Sequence, residues 1–221
     1  MDLTQKLFGS QRAVTIWVVS VVFAVVFPVY FSMMAASMDE GSGGSTGAKG
    51  QWQVEFVESD ITSSETSSMS DGEQADFYFD LDAEEMIAYV EITVSCNDND
   101  DPGPGFTDSV DASTDLSGVD GELQDETGSG SCNGDAIQFV IQVTPGYDGA
   151  SYVASDVSKS DIEAQWDDQG AGRGEWMTSV TLDVSSPPTP LGGIVDDDED
   201  VTVSWRAVTF TLSINAVAGE L

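Results

Sequence analysis

VTVSWRAVTFTLSI, Val201 to Ile214, alternates apolar and polar residues along its whole length, but in two phases. Val201, Val203 and Trp205 take the odd positions, and Val208, Phe210, Leu212 and Ile214 then take the even ones. A period of two sends successive side chains to opposite faces of a strand, so each half reads as a half-buried strand. Joining the halves predicts a β-bulge near Arg206-Ala207, or a strand that crosses there from one sheet to another. Upstream, Trp176, Thr178, Val180, Leu182 and Val184 repeat the pattern until Pro187, Pro188 and Pro190 stop it. Ile137, Phe139, Ile141 and Val143 do the same before Pro145-Gly146. Met86, Ala88, Val90, Ile92 and Val94 oppose Glu91, Thr93 and Ser95, a phase that points Cys96 inward. Phe77, Phe79 and Leu81 mark another strand, as do Trp52, Val54 and Phe56 within Gln51 to Glu58.

Between these segments the sequence is less regular. Ser59 to Gly72 is rich in Ser, Thr and Asp and reads as a loop. Asn97 to Ser131, with ten acids, six glycines and Phe106 as its one aromatic, reads as a long loop or an inserted flap. In Ser151 to Trp166 the alternation of Ile162, Ala164 and Trp166 suggests a weaker strand before the glycine-rich turn Gly170 to Gly174. No amphipathic helix is expected after residue 38. Seven or eight short strands at this spacing predict an all-β sandwich. The arrangement resembles the immunoglobulin-like or jelly-roll modules of cell-surface proteins. The resemblance is architectural, since no Trp lies between Cys96 and Cys132.

Ahead of the sandwich, AVTIWVVSVVFAVVFPVYFSMMAA, Ala13 to Ala36, carries no charged side chain. At 1.5 Å per residue it is long enough to cross a hydrocarbon core of about 30 Å, so it predicts one transmembrane helix, with Pro28 inside it. Lys6 and Arg12 precede the run while Asp39 and Glu40 follow it, which places the N-terminus in the cytoplasm and the rest outside. A cleaved signal peptide is the alternative, because Ala35-Ala36-Ser37 offers small residues. The run is longer than the roughly 7 to 15 residues of a signal h-region, which favours a retained signal anchor. The expected organisation is a cytoplasmic tail at residues 1–12, a transmembrane helix at 13–37, a flexible Gly/Ser linker at 38–50 and an extracytoplasmic domain at 51–221.

The chain has 40 acidic residues, 6 basic ones and no histidine, for a formal charge of −34. Such a surface repels nucleic acid. From Gly50 to Ser158 there are 25 Asp or Glu and no Lys or Arg, so that stretch has no internal cation to offset its repulsion. Salt shortens the Debye length from about 10 Å at 0.1 M to about 3 Å at 1 M, and the composition therefore implies saline surroundings or bound divalent cations. Disorder from high charge is opposed by an apolar content of 40%. The two cysteines, Cys96 and Cys132, are expected to pair in an oxidising compartment, closing a loop of about 37 residues.

Without histidine there is no Ser-His-Asp or Cys-His arrangement, and zinc lacks its commonest ligand. Carboxylates are everywhere, so no pair of them stands out as an acid and base, and no enzyme is expected. The best ligand-like cluster is NDNDDPGPG, Asn97 to Gly105, where oxygen-bearing residues at alternate positions suit calcium. Asp98, Asp100 and Asp101 are the candidate ligands. Pro102 stands where a calcium loop of the EF-hand type needs glycine, so a solvated loop is the competing reading. DDDED, Asp196 to Asp200, is a second acidic run of the same ambiguity. No cofactor is expected, the solvated loop being the favoured reading of both acidic runs and calcium the one ion they would suit.

FPVY, Phe27 to Tyr30, is similar to the Pro-x-Tyr near the end of the hydrophobic helix of type IV pilins, a resemblance covering about 25 residues. It implies a filament subunit processed near the N-terminus. The position counted back for cleavage falls after Lys6, where the family has glycine, and Gln11 stands where it usually has glutamate. The expectation is therefore a membrane-anchored surface module with a structural, adhesion or partner-binding role. Its partners would be the membrane through Ala13 to Ala36 and a protein at the cell surface, a second copy included. A pilin-like subunit is the alternative and a secreted hydrolase a distant third.

Overall fold

The fold follows from one long ribbon. In a computed structural model, which describes residues 47–97, 107–132, 134–185 and 198–217, β1 (Lys49–Ser70) and β9 (Asp198–Ala216) pair antiparallel from Trp52↔Ala216 to Ser70↔Asp198 without a break in register. Around them lie β2 (Gln74–Leu81), β3 (Met86–Asn97), β4 (Ser109–Asp115), β5 (Thr127–Ser131), β6 (Ile137–Gln142), β7 (Tyr152–Ser158), helix α1 (Lys159–Trp166) and β8 (Gly174–Asp183). One sheet has the order β6-β3-β9-β1-β7 and the other β2-β8-β4-β5, every pairing being antiparallel. The all-β, two-sheet architecture expected from alternation is thus present.

The two phases of the last segment have a cause that the sequence hid. β9 is continuous, with no bulge at Arg206-Ala207, and it stays in one sheet. Val201, Val203, Trp205 and Ala207 face the core between the sheets, where they meet Phe77, Phe79, Ile92, Trp176 and Leu182. Val208 and Phe210 face the opposite side, where Trp52, Val54, Tyr147, Ile162 and Trp166 form a second core. One straight strand thus serves two cores on opposite faces. The bulge sits across the ladder on β3, where Ala88 is the extra residue between Ile87↔Thr209 and Tyr89↔Val208. Its carbonyl accepts from the backbone N–H of both Val143 and Thr144 at 3.0 Å, which fixes the irregular geometry. Consequently Met86 and Ala88 pack on the second core rather than in line with Val90, Ile92 and Val94, as their spacing predicted.

Three further expectations are corrected. Residues 59–70 are strand, because β9 supplies a partner for each of them and Ser and Thr tolerate a pleated surface when paired. The predicted loop or flap at 97–131 contributes β4 and β5 to the second sheet. β5 is built of Ser, Gly and Thr because it lies against large side chains: a Cβ on Gly128 would stand 2.6 Å from Ile137 Cγ2. Finally, a helix does occur after residue 38. Ser158 caps α1 by accepting from the Asp161 N–H while the Asp161 carboxylate accepts from the Ser158 N–H, and Ile162 and Trp166, four apart, are its buried residues. The pair taken for strand alternation is one helical face.

The connection after α1 is held by an ion pair between the buried Asp168 and the half-buried Arg173. Asp168 Oδ2 accepts from Arg173 Nη1 at 2.9 Å and from the Ile87 N–H at 2.7 Å. Arg173 also donates to the carbonyls of Ala83 at 2.9 Å, Glu85 at 2.7 Å and Ala171 at 3.1 Å. A single guanidinium thereby ties the turn before β8 to the β2–β3 connection.

Candidate binding faces

The polar faces of the two sheets are the surfaces this fold presents. On the five-stranded sheet, residues opposite the main core line up in rows across three strands: Thr66, Thr202 and Ser95, then Ser64, Ser204 and Thr93, then Thr62, Arg206 and Glu91. Their hydroxyls bond across the ladder, Ser64 Oγ to Ser204 Oγ at 2.9 Å and Thr66 Oγ1 to Thr202 Oγ1 at 2.8 Å. Arg206 closes the array, held by Glu91 at 2.7 Å and Asp60 at 3.0 Å. Those bonds, Glu91 first, hold its guanidinium proton more firmly than usual. A shallow groove of about 410 Å³ runs between these side chains. A second groove, about 500 Å³, lies on the outer face of the other sheet among Gln74, Asp111, Ser113, Thr127, Ser129 and Thr181. Ser179 there donates to Asp76 at 2.7 Å. Both grooves are open and lined mostly by hydroxyl and charged residues, the first with apolar surface between them, and both are suited to contacts along a surface. Neither resembles the enclosed apolar pocket that holds a small-molecule ligand.

A cleft of about 640 Å³ at the end of the domain is lined by Asp120, Glu122, Leu123, Gln142, Asp167 and Asp168. Asp168 is already engaged with Arg173 and Ile87, so this cleft belongs to the structural clamp. The aromatic cluster of Phe56, Tyr147, Tyr152, Trp166 and Phe210 is core as well. Tyr147 stacks on Phe210 at 4.5 Å between ring centroids, and Trp166 Nε1 donates to the Tyr152 hydroxyl at 2.7 Å. Tyr147, Trp166 and Phe210 are buried, and Phe56 and Tyr152 pack against them partly buried.

Tyr147 donates its phenol proton to Glu58 Oε1 at 2.7 Å. Burial first, and then the Glu58 carboxylate, push its pKa well above the ordinary tyrosine value. The folded state therefore keeps this proton to higher pH than the unfolded chain does. Its stabilising contribution is complete below about pH 10 and is lost as pH rises beyond that point. Stability measured by denaturant titration is expected to fall above pH 10 in the natural protein, and to fall less steeply in Tyr147→Phe. Identical alkaline slopes in the two proteins would show that the bond contributes nothing.

Of the residues singled out by sequence, Cys96 and Cys132 are joined in a disulfide with Cα atoms 4.5 Å apart. Cys96 belongs to β3 in the five-stranded sheet and Cys132 directly follows β5 in the other, so the bond links the two sheets. Asp98, Asp100 and Asp101 lie outside the described residues, as do Asp196 and Asp197. Of the rest of that second run, Asp198 accepts from the Ser68 hydroxyl at 3.0 Å and Glu199 turns into the domain, fully buried. No group of three or more metal-ligating side chains occurs among the described residues. The proposed membrane run Ala13 to Ala36 also lies outside them.

Sequence reasoning missed Arg206, Arg173 and Asp168. The available signal was scarcity: only four basic residues follow position 47, so each one inside a strand or a tight turn had to be paired with some of the surrounding carboxylates. No protein-family model matches the chain, and no curated protein matches it in sequence.

Proposed function

We propose that this chain is a membrane-anchored module whose sandwich domain lies outside the cytoplasmic membrane and serves a structural, adhesion or partner-binding role in saline surroundings. The observation that carries the reading is the character of the described surface: two flat sheet faces of hydroxyls and carboxylates, open to solvent, on a chain of formal charge −34. Surfaces of this kind engage extended partners through many weak polar contacts. The apolar run Ala13 to Ala36, with basic residues before it and acidic ones after, supports the anchor and its orientation.

A second reading, a pilin-like filament subunit, is favoured by one feature, the Pro28-Val29-Tyr30 sequence within the apolar run. The two readings differ at the mature N-terminus, intact for an anchor and processed near residues 6 to 10 for a pilin. Location is tested by adding protease to intact cells. Loss of the domain with retention of a short membrane stub is the expected result. Full protection of the chain in intact cells, with digestion after lysis, would overturn the topology.

A further inference from the structure

β1 is paired on both sides only over its first residues. β7 covers Lys49 to Val54, whereas β9 runs beside β1 to Ser70. From Glu55 to Met69 no strand of the described fold pairs with the other side, and this stretch is an unpaired sheet edge, with the Glu58 side chain turned to Tyr147 and Gly149. The direction of its backbone groups follows from the bonds around it. The Gln51 carbonyl accepts from the Val217 N–H on the β9 side, so odd-numbered residues turn their backbone groups toward β9. Even-numbered residues turn theirs outward, as the Ser70 N–H does in reaching Glu73 Oε2 at 2.8 Å. Residues 56, 58, 60, 62, 64, 66 and 68 therefore present N–H and C=O groups along a strand that no bulge interrupts opposite β9. Natural edges are usually shortened, kinked by a bulge, or blocked with Pro or charged side chains, and this one has no bulge, Pro or Lys and is guarded only by the carboxylates of Glu55, Glu58, Asp60 and Glu65. Val57 and Ile61, 56% and 36% exposed, lie on it.

We infer that this edge pairs with the same edge of a second copy, strand to strand and antiparallel, about a two-fold axis through Thr62. A second copy fits because the edge is compatible with itself: one antiparallel register of 55–69 against its own sequence keeps the carboxylates apart. The midpoint of 55–69 is 62, so the register using the whole free edge sets residue i opposite residue 124 − i. That register places Glu55 against Met69, Glu58 against Thr66, Asp60 against Ser64 and Glu65 against Ser59. No acid faces an acid directly or one pair along the diagonal. The acid-bearing half of each strand meets the Ser/Thr-rich half of its mate. Axes through Asp60 or Glu65 would instead set carboxylates face to face, which destabilises a ladder. The product joins two five-stranded sheets into one continuous sheet, a self-complementary form of strand addition. The inference rests on the surface-module reading in one respect: two chains this acidic approach one another only where salt screens them.

The test uses the purified full chain in mild detergent at about 2 M sodium chloride, where the Debye length is below about 3 Å. Thr62→Cys and Ser68→Cys are each treated with a short bifunctional thiol reagent. The two copies of position 62 would be strand neighbours, whereas those of position 68 would be twelve residues apart along the strand, about 40 Å. Crosslinked dimer is expected for Thr62→Cys and not for Ser68→Cys. Ser64→Asp, an exposed change that sets a carboxylate against Asp60 of the mate, should abolish the crosslink when combined with Thr62→Cys. Ser64→Pro should do the same, because it removes an outward N–H of the edge, and Ser64→Ala, which loses the hydroxyl bond to Ser204 but keeps that N–H, should leave the crosslink in place. Absence of crosslink at 62, equal yield at 68, or a crosslink indifferent to Ser64→Asp would overturn the inference. All of these readouts use purified protein and do not depend on protease protection in cells, which tests location separately.

Discussion

Replacing Arg173 with alanine is expected to destabilise the domain by about 3 kcal/mol, the lower end of the cost of breaking a buried ion pair, because Asp168 is buried while the guanidinium keeps some contact with solvent. Asp168 is almost fully buried, and its Oδ2 would keep only the Ile87 N–H. The carbonyls of Ala83, Glu85 and Ala171 would lose their shared donor at the same time. Asp168→Ala should cost a similar amount, because it strands the guanidinium and frees the Gly170 N–H that now reaches Oδ1 at 2.9 Å. The control is Arg206→Ala. Arg206 holds two carboxylates with closer geometry than most surface pairs, but in solvent, and exposed pairs contribute about 0–1 kcal/mol each. Denaturant midpoints should therefore separate the two arginines widely. If Arg173→Ala unfolds at the same denaturant concentration as Arg206→Ala, the clamp has been misread.

Removing the disulfide should be comparably costly. A closed loop of about 37 residues is rated at roughly 4 kcal/mol by the chain-entropy model. The Cys96–Cys132 bond also joins β3 to the end of β5, an edge strand of Ser, Gly and Thr with little apolar surface of its own. In Cys96→Ser/Cys132→Ser the amide hydrogens of β5 should exchange well before those of β8 and β9. A denaturant midpoint unchanged by the double substitution, with β5 still protected, would contradict this account of what holds the second sheet in place.

What could be read from sequence divides along a physical line. β8, β6 and the middle of β3 were legible because large apolar residues alternate with polar ones where a strand has one wet face and one dry face. The second half of β1 was not, since residues 57–68 have no large side chain buried on either face and are strand only because β9 pairs with them. β4 and β5 were lost in an acidic, glycine-rich stretch for a related reason. Their small residues answer to the bulk of Ile137 and Phe139 across the core, and that requirement is not local. The helix escaped because it is eight residues long and announces itself only through the capping pair Ser158 and Asp161. The change of phase in β9 marked a second core on the other face and not a bulge, while the bulge at Ala88 left no break in the alternation from Met86 to Val94. Of the binding faces, the residue types were visible in sequence and the rows were not, because rows exist only once β1, β9 and β3 are in register.

An acidic sandwich of this charge is expected to depend on saline surroundings for its stability, and the most direct test is the melting temperature of the full chain as a function of salt. Folding brings carboxylates together, and each unit pair about 4 Å apart repels by about 1 kcal/mol in water and more near a protein surface. Sodium chloride rising from about 0.01 M to about 1 M shortens the Debye length from about 30 Å to about 3 Å, and the melting temperature should climb throughout that range. Calcium at equal ionic strength should add little, because general screening is the expected cause. A melting temperature that is the same at both ends of the salt range and unmoved by calcium would contradict the account.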